Sequence, residues 1–112
     1  MKNKVSEILL QKQICEWLNY NHCFVWRANS GLILLENKQG KRRAFRGGIK
    51  GCADIIGIRS GGQFLAIEVK IGRNKPTADQ IEFLERIREM GGEAFVAYSL
   101  DDVITNFVKW KN

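Results

Sequence analysis

The chain has 112 residues, 45% of them apolar and 27% charged, a balance ordinary for one globular domain spanning 1–112. It excludes a disordered tail, a collagen-like chain and a coiled coil, and no apolar run nears the ~18 residues that cross a bilayer. Lys and Arg total 18 against 12 Asp and Glu, a net charge of +6. That excess fits either a merely basic surface or a polyanionic partner, of which nucleic acid is the commonest. Met1-Lys2-Asn3-Lys4 is basic, but no apolar stretch or small-residue cleavage site follows, so no signal peptide is expected. Cys15, Cys23 and Cys52 are odd in number and lack a C-x-x-C pair. They read as reduced thiols of a cytoplasmic protein, mostly in the core, rather than a disulfide or zinc framework.

In chain order, residues 5–21 read as a helix whose apolar stripe is Leu10, Ile14, Trp17 and Leu18. One face of it carries Glu7, Gln11, Ile14 and Leu18. Residues 24–28 read as a short strand, and Asn29-Ser30-Gly31 as a turn. Leu32–Glu36 and Arg43–Phe45 can pair as a hairpin around 37–40. A glycine-rich basic loop, 46–51, leads into a buried strand over 54–58. Ser60-Gly61-Gly62 turns the chain into a second strand over 63–71, the strongest hairpin signal present. Thr77 caps a helix running to about Met90, with Ile81, Leu84, Ile87 and Met90 as its core face. A strand at 94–98 and a helix capped by Ser99 and Asp102, with Val103, Ile104 and Phe107 inward, complete an α-β-β-β-β-β-α-β-α order. Such an order builds an α/β domain around a central mixed sheet. Trp17, Trp26 and Trp110 read as core or interface residues rather than stacking platforms.

The chemistry concentrates between Gly51 and Lys70. In Ala66-Ile67-Glu68-Val69-Lys70, alternation puts Glu68 and Lys70 on one face and Ile67, Val69 and Ile71 on the other. Burying a Glu and a Lys in an otherwise apolar strand costs several kcal/mol unless they are paired or bind a metal. Counting back from Ser60-Gly61-Gly62 brings Asp54 opposite Glu68 across the ladder. Adjacent carboxylates repel unless a proton or cation lies between them. Oxygen ligands of this kind suit Mg²⁺ or Mn²⁺, with Lys70 beside the metal to hold a water or steady a phosphate. The other reading is an ion pair, Glu68–Lys70 or Asp54–Lys70, on a solvated sheet face.

Asp54 followed by Glu68-Val69-Lys70 resembles the D…(D/E)-x-K signature of the PD-(D/E)XK nucleases. The wider pattern is similar to the VRR-NUC branch of that superfamily, in the compact stand-alone form found in bacteriophages. It comprises Glu7 with Leu10-Gln11, Trp26 to Gly31, Lys50-Gly51, Phe64 to Lys70, Gln80, and Gly91-Gly92 before the last strand. The match covers nearly the whole chain in order, although Ala53 stands where the superfamily name has Pro.

The resemblance implies a restriction-endonuclease-like core, a central mixed sheet flanked by helices. It also implies a metal-dependent DNA endonuclease using Mg²⁺ or Mn²⁺. Asp54 and Glu68 would hold the metal, with the Val69 carbonyl and Glu7 as further ligands. Lys70 would orient the attacking water and Gln80 would support Lys70 or the metal shell. Arg27 and Asn29 would contact phosphates or the edge of the site. Gln80 also fits a plain capping box with Thr77, Glu7 an ordinary first-turn acid, and Arg27 a surface or interface residue.

Residues 38–50 carry Lys38, Lys41, Arg42, Arg43, Arg46 and Lys50 and no acid, six positive charges in one stretch. A basic hairpin with a glycine-rich exit can follow a phosphate backbone, where its cations displace counterions; it can also be a solvated charged hairpin. No base-reading element such as a recognition helix is evident, so little sequence specificity is expected. Stand-alone members of the resembled family are similar to Holliday junction resolvases in forming homodimers that favour branched DNA, and that implies the same here. No membrane partner is expected. The competing reading is a non-catalytic nuclease-like module that binds DNA within a replication or repair complex.

Overall fold

The computed structural model of the chain describes residues 2–28, 32–36, 42–46 and 49–110, with side chains over 6–28 and 49–109. Its elements are α1 (Lys2–Tyr20), β1 (Cys23–Arg27), β2 (Leu32–Glu36), β3 (Arg42–Arg46), β4 (Ile55–Arg59), β5 (Phe64–Val69), α2 (Ala78–Glu89), β6 (Glu93–Ala97) and α3 (Leu100–Trp110). This is the order that periodicity and turn residues predict. β1, β4, β5 and β6 lie side by side in that order as one sheet. β1–β4 and β4–β5 are antiparallel and β5–β6 is parallel. β2 and β3 pair antiparallel as a separate hairpin. The fold is thus α/β, with a four-stranded mixed sheet flanked by helices, consistent with a restriction-endonuclease-like core. Among the described residues no helix is long and apolar enough to cross a membrane.

Side-chain alternation divides the core into two layers. Val25, Ile55, Leu65, Ile67 and Val69 pack with Ile14 and Leu18 of α1 and Val103 of α3. Trp17 and Phe107 join α1 to α3 edge-on, ring centroids 5.1 Å apart. On the opposite face Ala53, Ala66 and Ala94 meet Leu84 of α2, small residues that let the helix sit close to the sheet. The amide of Asn19 bonds both the N–H and the C=O of Val25, at 2.9 and 3.1 Å, and so fixes β1 against α1.

Two core assignments need correction. In α2, Ile81 is 44% and Met90 89% exposed. The helix packs chiefly on β5 and β6 and turns a narrow stripe of Phe83, Leu84 and Ile87 towards the sheet. Ile81 falls on the flank of that stripe, and Met90 is the C-cap, where the chain turns away. Trp26, which the sequence places in the core or at an interface, is outside the core, 45% exposed on the face of β1 turned away from α1. Trp110 is on α3, and its side chain lies outside those described.

Candidate active site

β4 begins and β5 ends at the same edge of the sheet. The ladder pairs Ile55 with Ile67 and Ile56 with Ala66. One step further that register sets Asp54 opposite Glu68, on the α2 face with Ile56 and Ala66. Asp54 itself precedes β4, at a bend. Its carbonyl accepts the N–H of Ala28 at 2.8 Å. Its Oδ2 accepts the N–H of Val69 at 2.9 Å, the position a backbone acceptor would fill if the strand ran on. The carboxylate is therefore fixed by the two strands on either side.

Glu68 is 1% exposed. Its Oε2 lies 3.5 Å from Lys70 Nζ, itself largely buried. Its Oε1 is buried with no hydrogen-bond partner among the described residues. The group beside it, the Asp54 carboxylate, is an acceptor too, so only a proton or a cation between them satisfies both. Burial first, and the Asp54 charge second, push the Glu68 carboxyl up to about 8, against the pull of Lys70. A buried carboxylate oxygen without a donor, beside a second carboxylate, is a set of hard oxygen donors of the kind that suits a divalent cation. The donor set fits Mg²⁺ or Mn²⁺. Among the described residues no three acidic, histidine or cysteine side chains gather into a metal-ready cluster. The carboxylate pair would therefore be completed by carbonyl, water or phosphate oxygens, as is usual for these ions.

Two neighbouring features bring the chain into the site. Gly51 has φ +76°, and a Cβ there would meet Asp79 O at 2.3 Å, so the loop entering Asp54 lies directly on the first turn of α2. Cys52 borders the carboxylates. Burial, then the charges of Glu68 and Asp54, push its thiol up, which keeps it a neutral wall rather than a nucleophile. The sequence offered no signal for Cys52 here beyond its closeness to Asp54.

The remaining site candidates are distributed less compactly. Gln80 is engaged in the α2 cap: its Oε1 accepts the Thr77 N–H at 2.8 Å and its own N–H donates to Thr77 Oγ1 at 3.2 Å. Arg27, opposite Ile55, faces α1 rather than the carboxylates, and its Nε donates to Oε1 of the buried Gln11 at 2.9 Å. Gln11 is a partner that sequence reading placed on the right helix face but gave no task. Glu7 is half-buried one turn before Gln11, towards the same end of the sheet as Asp54. Lys50 is exposed and pairs with Asp79 at 3.4 Å, a contact worth ~0–1 kcal/mol. Arg42, Arg43 and Arg46 are on β3; their side chains, and Asn29, Lys38 and Lys41 entirely, lie outside the described residues.

No family model and no curated protein matches the chain.

Proposed function

We propose that the chain is a metal-dependent DNA endonuclease that hydrolyses phosphodiester bonds, selective for branched DNA and largely indifferent to sequence. The observation that carries this reading is Glu68, buried beside Asp54, whose Oε1 has no donor among the described residues while its Oε2 lies 3.5 Å from the Lys70 ammonium. An ion pair on a solvated face does not account for a Glu that is 1% exposed.

In this reading Asp54, Glu68 and the Val69 carbonyl would hold Mg²⁺ or Mn²⁺, and Glu7 of α1 would be a further ligand. A bound ion of this kind supplies charge neutralisation at a phosphoryl oxygen. Asp54 is held in place by the Val69 and Ala28 N–H groups and needs no reorganisation to bind. Lys70 orients a water in line with the scissile bond and steadies the charge that develops on phosphate. The water oxygen bonds to phosphorus as the bond to the 3′ oxygen breaks, leaving a 5′ phosphate and a 3′ hydroxyl. The basic stretch from Lys38 to Lys50 follows the phosphate backbone, and its six charges offset the local negative charge of the acids. One domain of this size covers little DNA, so a two-fold homodimer would place two sites on two strands.

A second reading, a DNA-binding module that does not cut, is favoured by one observation: no third acidic group joins the pair among the described residues. An end-labelled four-way junction, incubated beside linear duplex with Mg²⁺, Mn²⁺ or EDTA, separates the two. Metal-dependent paired nicks that disappear in Glu68→Ala support the nuclease. Binding without cutting in either metal supports the module.

A further inference from the structure

The α2 side of the sheet is only half covered. α2 packs chiefly on β5 and β6, with Ile56 of β4 at the edge of that cluster, and leaves Phe24, Trp26 and Ile58 exposed. On that open half Phe24 is 66%, Trp26 45% and Ile58 42% exposed. The ladder pairs Phe24 with Ile58 and Trp26 with Ile56, so these residues share one face. The rings of Phe24 and Trp26 touch, centroids 5.4 Å apart and planes inclined by 53°.

This face is also the face of the candidate site. Ile56 lies two residues beyond Asp54, the bend residue before β4, and the β4–β5 register carried one step further sets Asp54 beside Glu68 on this side. Trp26, opposite Ile56, is therefore a diagonal neighbour of Asp54, a relation that spans about 7–8 Å in antiparallel sheets. Single exposed aromatics are common and need no explanation. Two in contact, continued by an exposed Ile and ending at a pair of acids, are not scattered apolar residues.

The occupant must tolerate a strongly charged neighbourhood and still present flat apolar surface. With Phe64 of β5, 37% exposed and paired with Ile58, the face has four exposed apolar side chains, still short of the ~800 Å² per partner that a stable protein interface buries. The chain's net charge of +6, with six cations in residues 38–50 just before Asp54, selects a polyanion. A nucleic acid strand combines both properties, since every base carries a π-face and every linkage a negative charge. In a duplex the base faces are stacked on one another, so a platform of this kind takes only unpaired bases.

We propose that Phe24 and Trp26 form a stacking platform for unpaired bases of a DNA strand whose phosphates enter the Asp54–Glu68–Lys70 site. The inference rests on the nuclease reading for what happens at that site, and deepens it: the preferred substrate is single-stranded or locally unpaired DNA, as at the arms of a branch. Stacking contributes about 1–3 kcal/mol per base, or roughly five- to 150-fold in affinity. Binding is thus selective between unpaired and paired DNA without reading sequence.

The test measures binding in EDTA, where no cutting occurs, using fluorescence anisotropy of a labelled oligothymidylate and of a labelled blunt duplex. Trp26→Ala is expected to weaken oligothymidylate binding by about tenfold and duplex binding by less than about twofold, with Trp26→Phe recovering most of the loss. Phe24→Ala, at the more exposed position, is expected to lose about fivefold on the oligothymidylate alone, and carries the test should Trp26→Ala not fold. Equal losses on both DNAs, or none on either, overturn the platform. So does a shift from dimer to monomer in sedimentation without selective loss, which would give this face to a second copy of the chain. If wild type cuts no junction yet Trp26→Ala loses oligothymidylate selectively, the nuclease reading falls and the platform stands. If wild type cuts and Trp26→Ala binds both DNAs normally, only the platform falls.

Discussion

Asp54 accepts the backbone N–H of Val69 through its carboxylate, at 2.9 Å, just where the β4–β5 ladder gives out. One side chain thus ends the strand pairing and lines the candidate site. The two tasks separate by substitution. Asp54→Asn keeps an oxygen for the Val69 N–H but not the charge; it should fold with nearly wild-type stability and lose metal-dependent cleavage. Asp54→Ala leaves that N–H without its acceptor and should lose about 1–3 kcal/mol as well. Urea unfolding beside the junction-cutting assay distinguishes them, and equal stability of Asn and Ala variants would deny the bond its structural part.

Glu68 makes stability depend on pH in a direction opposite to a surface carboxylate. Unfolded, it releases its proton near the ordinary value of 4.5; folded, near 8. Between those values the folded state holds a proton that the unfolded state lacks, so stability falls as pH rises through the window. The benefit is complete below 4.5 and gone above about 8. In EDTA the thermal midpoint should therefore drop by roughly 5 °C or more from this group between pH 5 and 8. Glu68→Gln should flatten the profile, and Mn²⁺ should do the same in wild type by binding the anion. A metal-free midpoint that rises from pH 5 to 8, in a way Glu68→Gln abolishes, would contradict the burial of Glu68 beside Asp54.

Gly51 should be the least replaceable glycine of the loops around the site. Gly51→Ala meets both a positive φ, costing roughly 1–2 kcal/mol, and Asp79 O at 2.3 Å, which forces the loop off α2. Gly61 has φ +95° but nothing within 4 Å of a Cβ. Gly61→Ala should pay the backbone cost alone. Paired urea titrations should show Gly51→Ala losing at least about twice as much, together with reduced cleavage, because Asp54 is three residues away.

The site was legible where backbone arithmetic governs it. Alternation in 66–70 puts Glu68 and Lys70 on one face, and counting from the 60–62 turn puts Asp54 opposite Glu68, one step beyond the last ladder pair, Ile55 with Ile67. Element order was legible for the same reason, since periodicity and turn residues are local. What failed was coverage. Periodicity cannot say that α2 packs chiefly on two strands of four, so the core it implies for Ile81 and Met90 is wider than the one that forms, and it leaves open whether Trp26 is core or interface. Long-range partners were equally hidden: Gln11 and Arg27 lie 16 residues apart, and no spacing rule joins a helix amide to a strand guanidinium.

Gln80 tests the remaining ambiguity between structure and catalysis. Its side chain and that of Thr77 bond each other's backbone N–H groups across the first turn of α2, so Gln80→Ala and Thr77→Ala remove the two halves of one capping box. Each should destabilise by about 0.5–2 kcal/mol. Both should lower cleavage only as far as α2 loosens the Gly51 loop that rests on it. Comparing the two at equal folded fraction isolates any further role. If Gln80→Ala cuts as fast as Thr77→Ala, the residue is a cap. If it cuts ten times more slowly, the Gln80 amide acts at Lys70 or the metal shell when DNA is bound, and the cap is its resting position.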